Sequence, residues 1–217
     1  WNRYNFRYAL TAGARFAAQM GDSASAALYN QTAAAIQPTV FAHWNGQYVY
    51  ESTNRQEDSA VLLAFNTGYL NDGFFAPTSQ YVAGTINTLF SLFNGEYYIN
   101  QLDNQTGVPG VLFGRYQGDS YDGGGPWILT TCALAHTYYS ASHSALTELK
   151  GLPDDSAMEH WTKIIGRRPV DVVDFAQATY SLGDGVLYRV RYHVQSYGFH
   201  LSEQLDRNTG AELSATD

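Results

Sequence analysis

Gly114–Trp127 reads GRYQGDSYDGGGPW, a glycine-rich loop that hands the chain to a helix. Pro126 suits the first turn of that helix, because its φ is preset and its missing N–H has no intrahelical partner to lose. Arg115, the acids Asp119 and Asp122, and the aromatics Tyr116, Tyr121 and Trp127 crowd into this one segment. A sugar offers a ring of hydroxyls and an apolar C–H face. Asp and Arg side chains hydrogen-bond adjacent hydroxyls, while Trp or Tyr packs on the face. A phosphate loop is a poorer fit: no Gly-Lys-Ser/Thr ending is present, and Pro126 has no N–H to offer an anion. The same residues also suit a structural loop closed by an internal Arg–Asp pair, and composition leaves both readings open.

Working outward, the pattern repeats as a helical stretch followed by a Gly- or Asn-rich loop. Residues 4–20 place Phe6, Leu10, Ala14, Ala17 and Ala18 at helical spacing and stop at Gly21. Residues 22–36 open on Asp22 as N-cap and are expected to end before Pro38. His43 to Tyr50 alternates around Asn45-Gly46 and reads as a short hairpin. Further helices are predicted over 57–66, over 79–93 with Asn94-Gly95 as the stop, and from Pro126 towards Tyr139. Another follows Asp154 or Asp155 and runs to Gly166. The last, 170–193, must cross Gly183 and Gly185, so its continuity is open. Seven helices with few strands predict an all-α domain. The stretches 95–125 and 194–217 are long interruptions, of the kind that carry function in a compact helical domain.

The second of these interruptions contains GFHLSEQLDRNTGAELSATD, Gly198–Asp217. Glu203 sits there in a partly apolar stretch after a helix. A carboxylate so placed can act as a general base on water. It can equally be an ordinary loop carboxylate on the surface.

Composition narrows the partners. Twenty acids against 12 bases give a net charge of −8, which excludes the basic footprint of a nucleic-acid binder and docking on an anionic leaflet. Only 15% of residues are charged while 15% are aromatic, the reverse of a disordered chain. The single cysteine, Cys132, excludes an internal disulfide and a cysteine-based zinc site, and the six His show no ligand spacing. No apolar run approaches the ~18 residues of a membrane span. Asn30-Gln31-Thr32 and Asn104-Gln105-Thr106 are sequons that carry glycans if the protein is secreted. The low charge, the many Tyr, Ser, Thr and Gly residues and the acidic balance fit an extracellular enzyme.

Taken together, GRYQGDSYDGGGPW and SEQLDRNTGAELSATD resemble the glycoside hydrolase family 15 glucoamylases, especially the fungal ones. The family pattern is Gly-Arg-Tyr, then Asp, Tyr and a Gly/Asn-rich turn ending in Pro-Trp. A Ser-Glu-Gln-x-Asp segment follows and runs into Leu-Ser-Ala-x-Asp. Weaker similarity covers YNFRYALTAGARFAAQMGD near the start and the helix at 57–66. The resemblance implies an (α/α)6 barrel, a toroid that is incomplete in this chain, with pocket-forming loops at one end. It makes residues 1–217 the C-terminal part of a catalytic domain, with no starch-binding domain. It implies inverting release of glucose from the non-reducing ends of starch-like α-glucans, without metal or organic cofactor. Inversion calls for two carboxyls about 6.5–9.5 Å apart. By resemblance Glu203 falls on the catalytic base, Arg115 and Asp119 on sugar-contacting positions, and Trp127 on an aromatic lining the pocket. Tyr121 takes a supporting part, and Tyr116 and Pro126 a structural one.

Departures from the pattern set further expectations. The family's catalytic acid lies in a Trp-Glu-Glu segment upstream of the matched region, and its Arg-Asp pair for the terminal glucose lies further upstream. Neither is present here. The family also continues into a helix beyond the position of Asp217. The N-terminal half of the domain, covalent or as a second fragment, is therefore the expected partner, and the isolated chain is expected to be inactive. Glu51, Glu96 and Glu212 are the carboxylates available to replace the acid, and nothing in the sequence sets one opposite Glu203. Glu57 and Asp58 read as caps of the helix that follows them. Two other readings fit the same features: a noncatalytic sugar-binding descendant of the fold, or another α/α-toroid glycosidase or lyase.

Overall fold

The computed structural model describes residues 1–213, and eight α-helices form among them. Local capping sets several starts. Asp22 accepts a hydrogen bond from Ser25 N (3.0 Å) at the head of α2 (Ser23–Phe41), and Asp154 accepts from Ala157 N (2.9 Å) at the head of α7 (Asp155–Ile165). Asp171 does the same for α8 (Val172–Val194) through Asp174 N, at 2.8 Å. The cap predicted at Asp58 also forms: its carboxylate accepts from Ala60 N (2.8 Å), where α3 (Ala60–Gly68) begins.

Several boundaries differ from expectation; Asn94-Gly95, for one, does not stop its helix, which runs on to Glu96. Pro38 does not end α2. Its missing N–H frees a carbonyl at exposed Ala34, and Val40, buried two residues after the proline, holds the last turn to the core. α6 (Ile128–Glu148) starts two residues after Pro126 because extended pairing claims those two first. Trp127 N donates to Phe113 O (2.8 Å), and Pro126 O accepts from Leu205 N (2.9 Å). A helix unforeseen in the long interruption, α5 (Tyr98–Thr106), also forms; it buries Ile99 together with polar Asn100 and Asp103, as described below. The hairpin forms as expected: Trp44 pairs with Val49, and the Asn45 side chain accepts from Gln47 N and Tyr48 N.

α1 (Asn2–Gln19) packs along α2 and touches α3, α3 touches α6, and α6 packs along α8. α4 (Gln80–Glu96) packs on α7. Leu62, Ile86, Phe93, Phe113, Trp161 and Phe175 are fully buried between these layers, and Trp161 Nε1 donates to Thr78 O at 2.9 Å. α8 is continuous through Gly183 because the glycine receives the Tyr139 ring of α6. A Cβ there would sit 2.7 Å from that ring. Both ends of the helical succession carry large exposed apolar side chains: Phe6, Phe16 and Met20 on α1, Leu187 and Tyr188 on α8. No helix among the described residues is long and apolar enough to cross a membrane.

Candidate active site

Residues 113–116 pass between two helix entries. On one side Thr130 Oγ1 and Trp127 N donate to Phe113 O, at 2.9 and 2.8 Å. On the other, Ser59 N donates to Arg115 O (2.7 Å) and Asp58 pairs with Tyr116. Arg115 is thereby fixed between the starts of α3 and α6. Its guanidinium forms a bidentate pair with Asp119: Nε to Oδ2 and Nη2 to Oδ1, both 2.7 Å. Tyr121 N adds a bond to Asp119 Oδ1 at 3.1 Å. Gly124 lets the turn close this tightly, since it lies at φ 63° and a Cβ would sit 1.9 Å from Asp119 O.

The sequence left a sugar site and an internal Arg–Asp pair as alternatives for this loop. The pair forms, and it displays the rest of Arg115 rather than hiding it. The Asp119 side chain is 2% exposed and Arg115 31%. Burial would raise the Asp119 carboxyl, but hydrogen bonds from Arg115 and Tyr121 N outweigh it and hold the carboxyl below its ordinary range. The guanidinium lies 4.6 Å from the Trp127 ring centre and 5.0 Å from that of Tyr121. Tyr121 is exposed, and the two rings stand 5.9 Å apart. Arg115, Asp119, Tyr121 and Trp127 thus form one cluster, with Asp119 facing Arg115.

Glu203 reaches this cluster through its neighbours. Gln204 is fully buried, and its side chain bridges the loop: Oε1 accepts from Gly125 N (3.1 Å) and Nε2 donates to Tyr121 O (3.2 Å). Gln204 also pairs with Trp127 along the backbone, and Ile128 N donates to Glu203 O at 3.3 Å. Gly125 permits the approach, since a Cβ there would lie 2.0 Å from Leu205 O. Beyond it, β1 (Gln204–Leu205) pairs antiparallel with β2 (Glu212–Leu213). Arg207 donates to Glu96 O and Oε1 at the end of α4. The Glu203 side chain is exposed, on a backbone held from both sides. It lies close enough for its charge to help keep Arg115 above its ordinary pKa, after the larger effect of the Asp119 hydrogen bond. Ser214–Asp217, the end of the second motif, lie outside the described residues.

Gln204 went unnoticed in the sequence because an amide between charged neighbours carries no period or motif of its own. Its two bonds need an acceptor and a donor, so Gln204→Glu keeps both only while the new carboxyl is protonated. Burial raises that pKa in the folded state, so the variant loses stability as pH rises above about 4.3, the ordinary Glu value. Its Tm deficit against wild type is expected to be larger at pH 7 than at pH 4, measured by thermal melts at both.

Of the carboxylates considered for the acid, Glu96 and Glu212 are engaged elsewhere. Glu96 pairs with Arg207, and Glu212 with His200. Glu51 lines an apolar cavity of about 240 Å³ with Tyr4, Val61, Phe65 and Phe75. Asp58 is buried, which pushes its carboxyl up, and it caps α3. Among the described residues no group of His, Cys, Asp and Glu is disposed to hold a metal ion.

The model of glycosyl hydrolases family 15 matches residues 4–217. The chain belongs to that family. It is 30% identical to glucoamylase 1 of Rhizopus oryzae, over 97% of its own length and 38% of that protein. It is 29% identical to a glucoamylase of Blastobotrys adeninivorans, with the same two shares. The solved glucoamylase of Hormoconis resinae superposes with a TM-score of 0.83 at 25% identity, covering 98% of this chain and 39% of that one. The all-α architecture is therefore that of the family's (α/α)6 barrel. The chain spans well under half the length of these relatives.

Proposed function

We propose that this chain supplies the general base and part of the sugar pocket of a glucoamylase-type hydrolase, a glucan 1,4-α-glucosidase. The enzyme releases glucose, with inversion, from the non-reducing ends of starch-like α-glucans. The observation that carries the reading is the joining of two separate segments at one place: Glu203 and the Arg115–Tyr121–Trp127 cluster, tied by Gln204.

In this reading Glu203 takes a proton from the attacking water as it bonds to the anomeric carbon. Arg115 spends Nε and Nη2 on Asp119, and its Nη1 has no partner among the described residues. That nitrogen donates to sugar hydroxyls, while Trp127 and Tyr121 offer apolar faces. Asp119 acts through Arg115 by fixing the fork. No cofactor takes part. The general acid comes from the N-terminal half of the domain, whose helices cover the apolar faces of α1 and α8. The protein acts outside the cell with glycans on Asn30 and Asn104. Of these two amides Asn104 is already engaged, donating to Asn94 Oδ1 and accepting from Arg189.

The chain alone is expected to show negligible hydrolysis of maltooligosaccharides, and addition of the N-terminal half is expected to restore it. Proton NMR of the first product should then show the β-anomer of glucose. Equal activity from the isolated chain, the α-anomer as first product, or sugar binding without turnover by the completed domain would each overturn the proposal.

A further inference from the structure

Tyr97 is the single residue between α4 and α5, and the chemistry above makes no use of it. Its side chain is fully buried, with the ring stacked on Phe93 at 5.6 Å between centres. Its hydroxyl lies against Gly114, the residue before Arg115: a Cβ on Gly114 would sit 1.7 Å from that oxygen. The same hydroxyl donates to Gly125 O at 3.5 Å. The oxygen is thus wedged where the two ends of GRYQGDSYDGGGPW come together. Burial pushes the phenol pKa up, the charges of Glu96 and Asp119 add to that, and Arg207 and Arg115 oppose it. The group stays a neutral donor within reach of the Arg115–Asp119 pair. The ring also faces the second motif, since the Arg207 guanidinium lies 5.7 Å from its centre. Arg207 O accepts from Ile99 N at 3.1 Å, two residues along from Tyr97.

Backbone bonds hold the residues on either side of Gly114: Phe113 O accepts from Trp127 N, and Arg115 O from Ser59 N. Gly114 makes no backbone hydrogen bond of its own among the described residues, so its place rests on packing against the hydroxyl. Its backbone lies outside the left-handed region, so a side chain there would meet the hydroxyl rather than backbone strain. We infer that Tyr97 is a positioning residue for sugar binding: its hydroxyl sets where Gly114 lies, and so where Arg115 presents its guanidinium relative to Glu203. The inference rests on the proposed function, because it takes Arg115 to hold the sugar.

Initial rates on maltotriose test it in the full-length protein carrying this chain, well below the melting temperature. In Tyr97→Phe the KM is expected to rise about 3–10-fold with kcat within about two-fold, the signature of a displaced binding group. A purely structural tyrosine would lower the Tm and leave KM alone. Gly114→Ala adds a methyl where the hydroxyl stands and should raise KM further. Combining it with Tyr97→Phe should relieve part of that loss, because the nearest ring atom is then 2.8 Å away. An unchanged KM in Tyr97→Phe, or an equal effect of Gly114→Ala in both backgrounds, overturns the positioning role and leaves the proposed function standing. If Gly114→Ala prevents folding, Tyr97→Phe alone decides. A wild-type protein that does not hydrolyse maltotriose overturns the proposed function and this inference with it.

Discussion

Glu203→Gln in the completed domain is expected to lower kcat on maltooligosaccharides by about 10²–10⁴-fold, the usual contribution of a general base. The substitution keeps the shape of the side chain and removes its ability to take a proton from water. Substrate binding should move little, because Arg115, Tyr121 and Trp127 are anchored by Asp119 and Gln204 rather than by the Glu203 carboxylate. The expected signature is a collapse of kcat with KM within a few-fold of wild type, read from initial rates across a substrate series. The Tm should also hold, since the Glu203 side chain is exposed. A variant that hydrolyses at the wild-type rate would strip Glu203 of the role. A variant that loses kcat together with several degrees of Tm would make the residue structural.

Arg189→Ala is expected to produce the largest loss of stability. Arg189 is fully buried in α8, and its guanidinium makes four hydrogen bonds. Nε donates to Pro109 O (3.0 Å), Nη1 to Asn100 Oδ1 (2.9 Å), and Nη2 to Asn104 Oδ1 (2.9 Å) and Val108 O. Asp103 Oδ2 lies 3.5 Å from Nε and also meets His193 Nε2 at 2.7 Å. Burial lowers the Arg189 pKa and the Asp103 charge opposes that, so the pair stays coupled inside the fold. Removing the guanidinium leaves a buried carboxylate and several carbonyls short of donors. Breaking such a pair costs about 3–5 kcal/mol, which for a chain of this size is a Tm drop on the order of 10 °C. Arg189→Lys should recover only a small part, because an ammonium cannot reproduce a planar fork with bonds in several directions. Thermal melts of both variants decide it, and a change of a degree or two in Arg189→Ala would refute the account.

This network explains why α5 was invisible in the sequence. The helix is short, and Asn100, Asp103 and Asn104 hold it by gripping a side chain some 85 positions away. The dispersed histidines looked idle for the same reason, yet His193 is buried against Asp103. Its ring also lies so close to Gly210 that a Cβ there would sit 2.3 Å from Nδ1. By contrast Asp22, Asp154 and Asp58 were legible as caps, because the carboxylate and the N–H it serves are two or three residues apart. Asn45-Gly46 was legible as a turn on the same ground.

Residue order alone was enough for the all-α class, most helix starts, the hairpin and the two motif segments, since each depends on groups close along the chain. Family membership follows from order too, because spacing within the motifs survives translation into sequence. Tertiary structure decided that Asp119 is spent on Arg115, that Gln204 is the bolt between the motifs, and that the Tyr97 hydroxyl lies against Gly114. It also decided where an arginine could be buried without an orphaned charge. These outcomes depend on partners tens of residues apart meeting at hydrogen-bond distance. Bond geometry of that kind is set by how helices pack, and no local pattern encodes it.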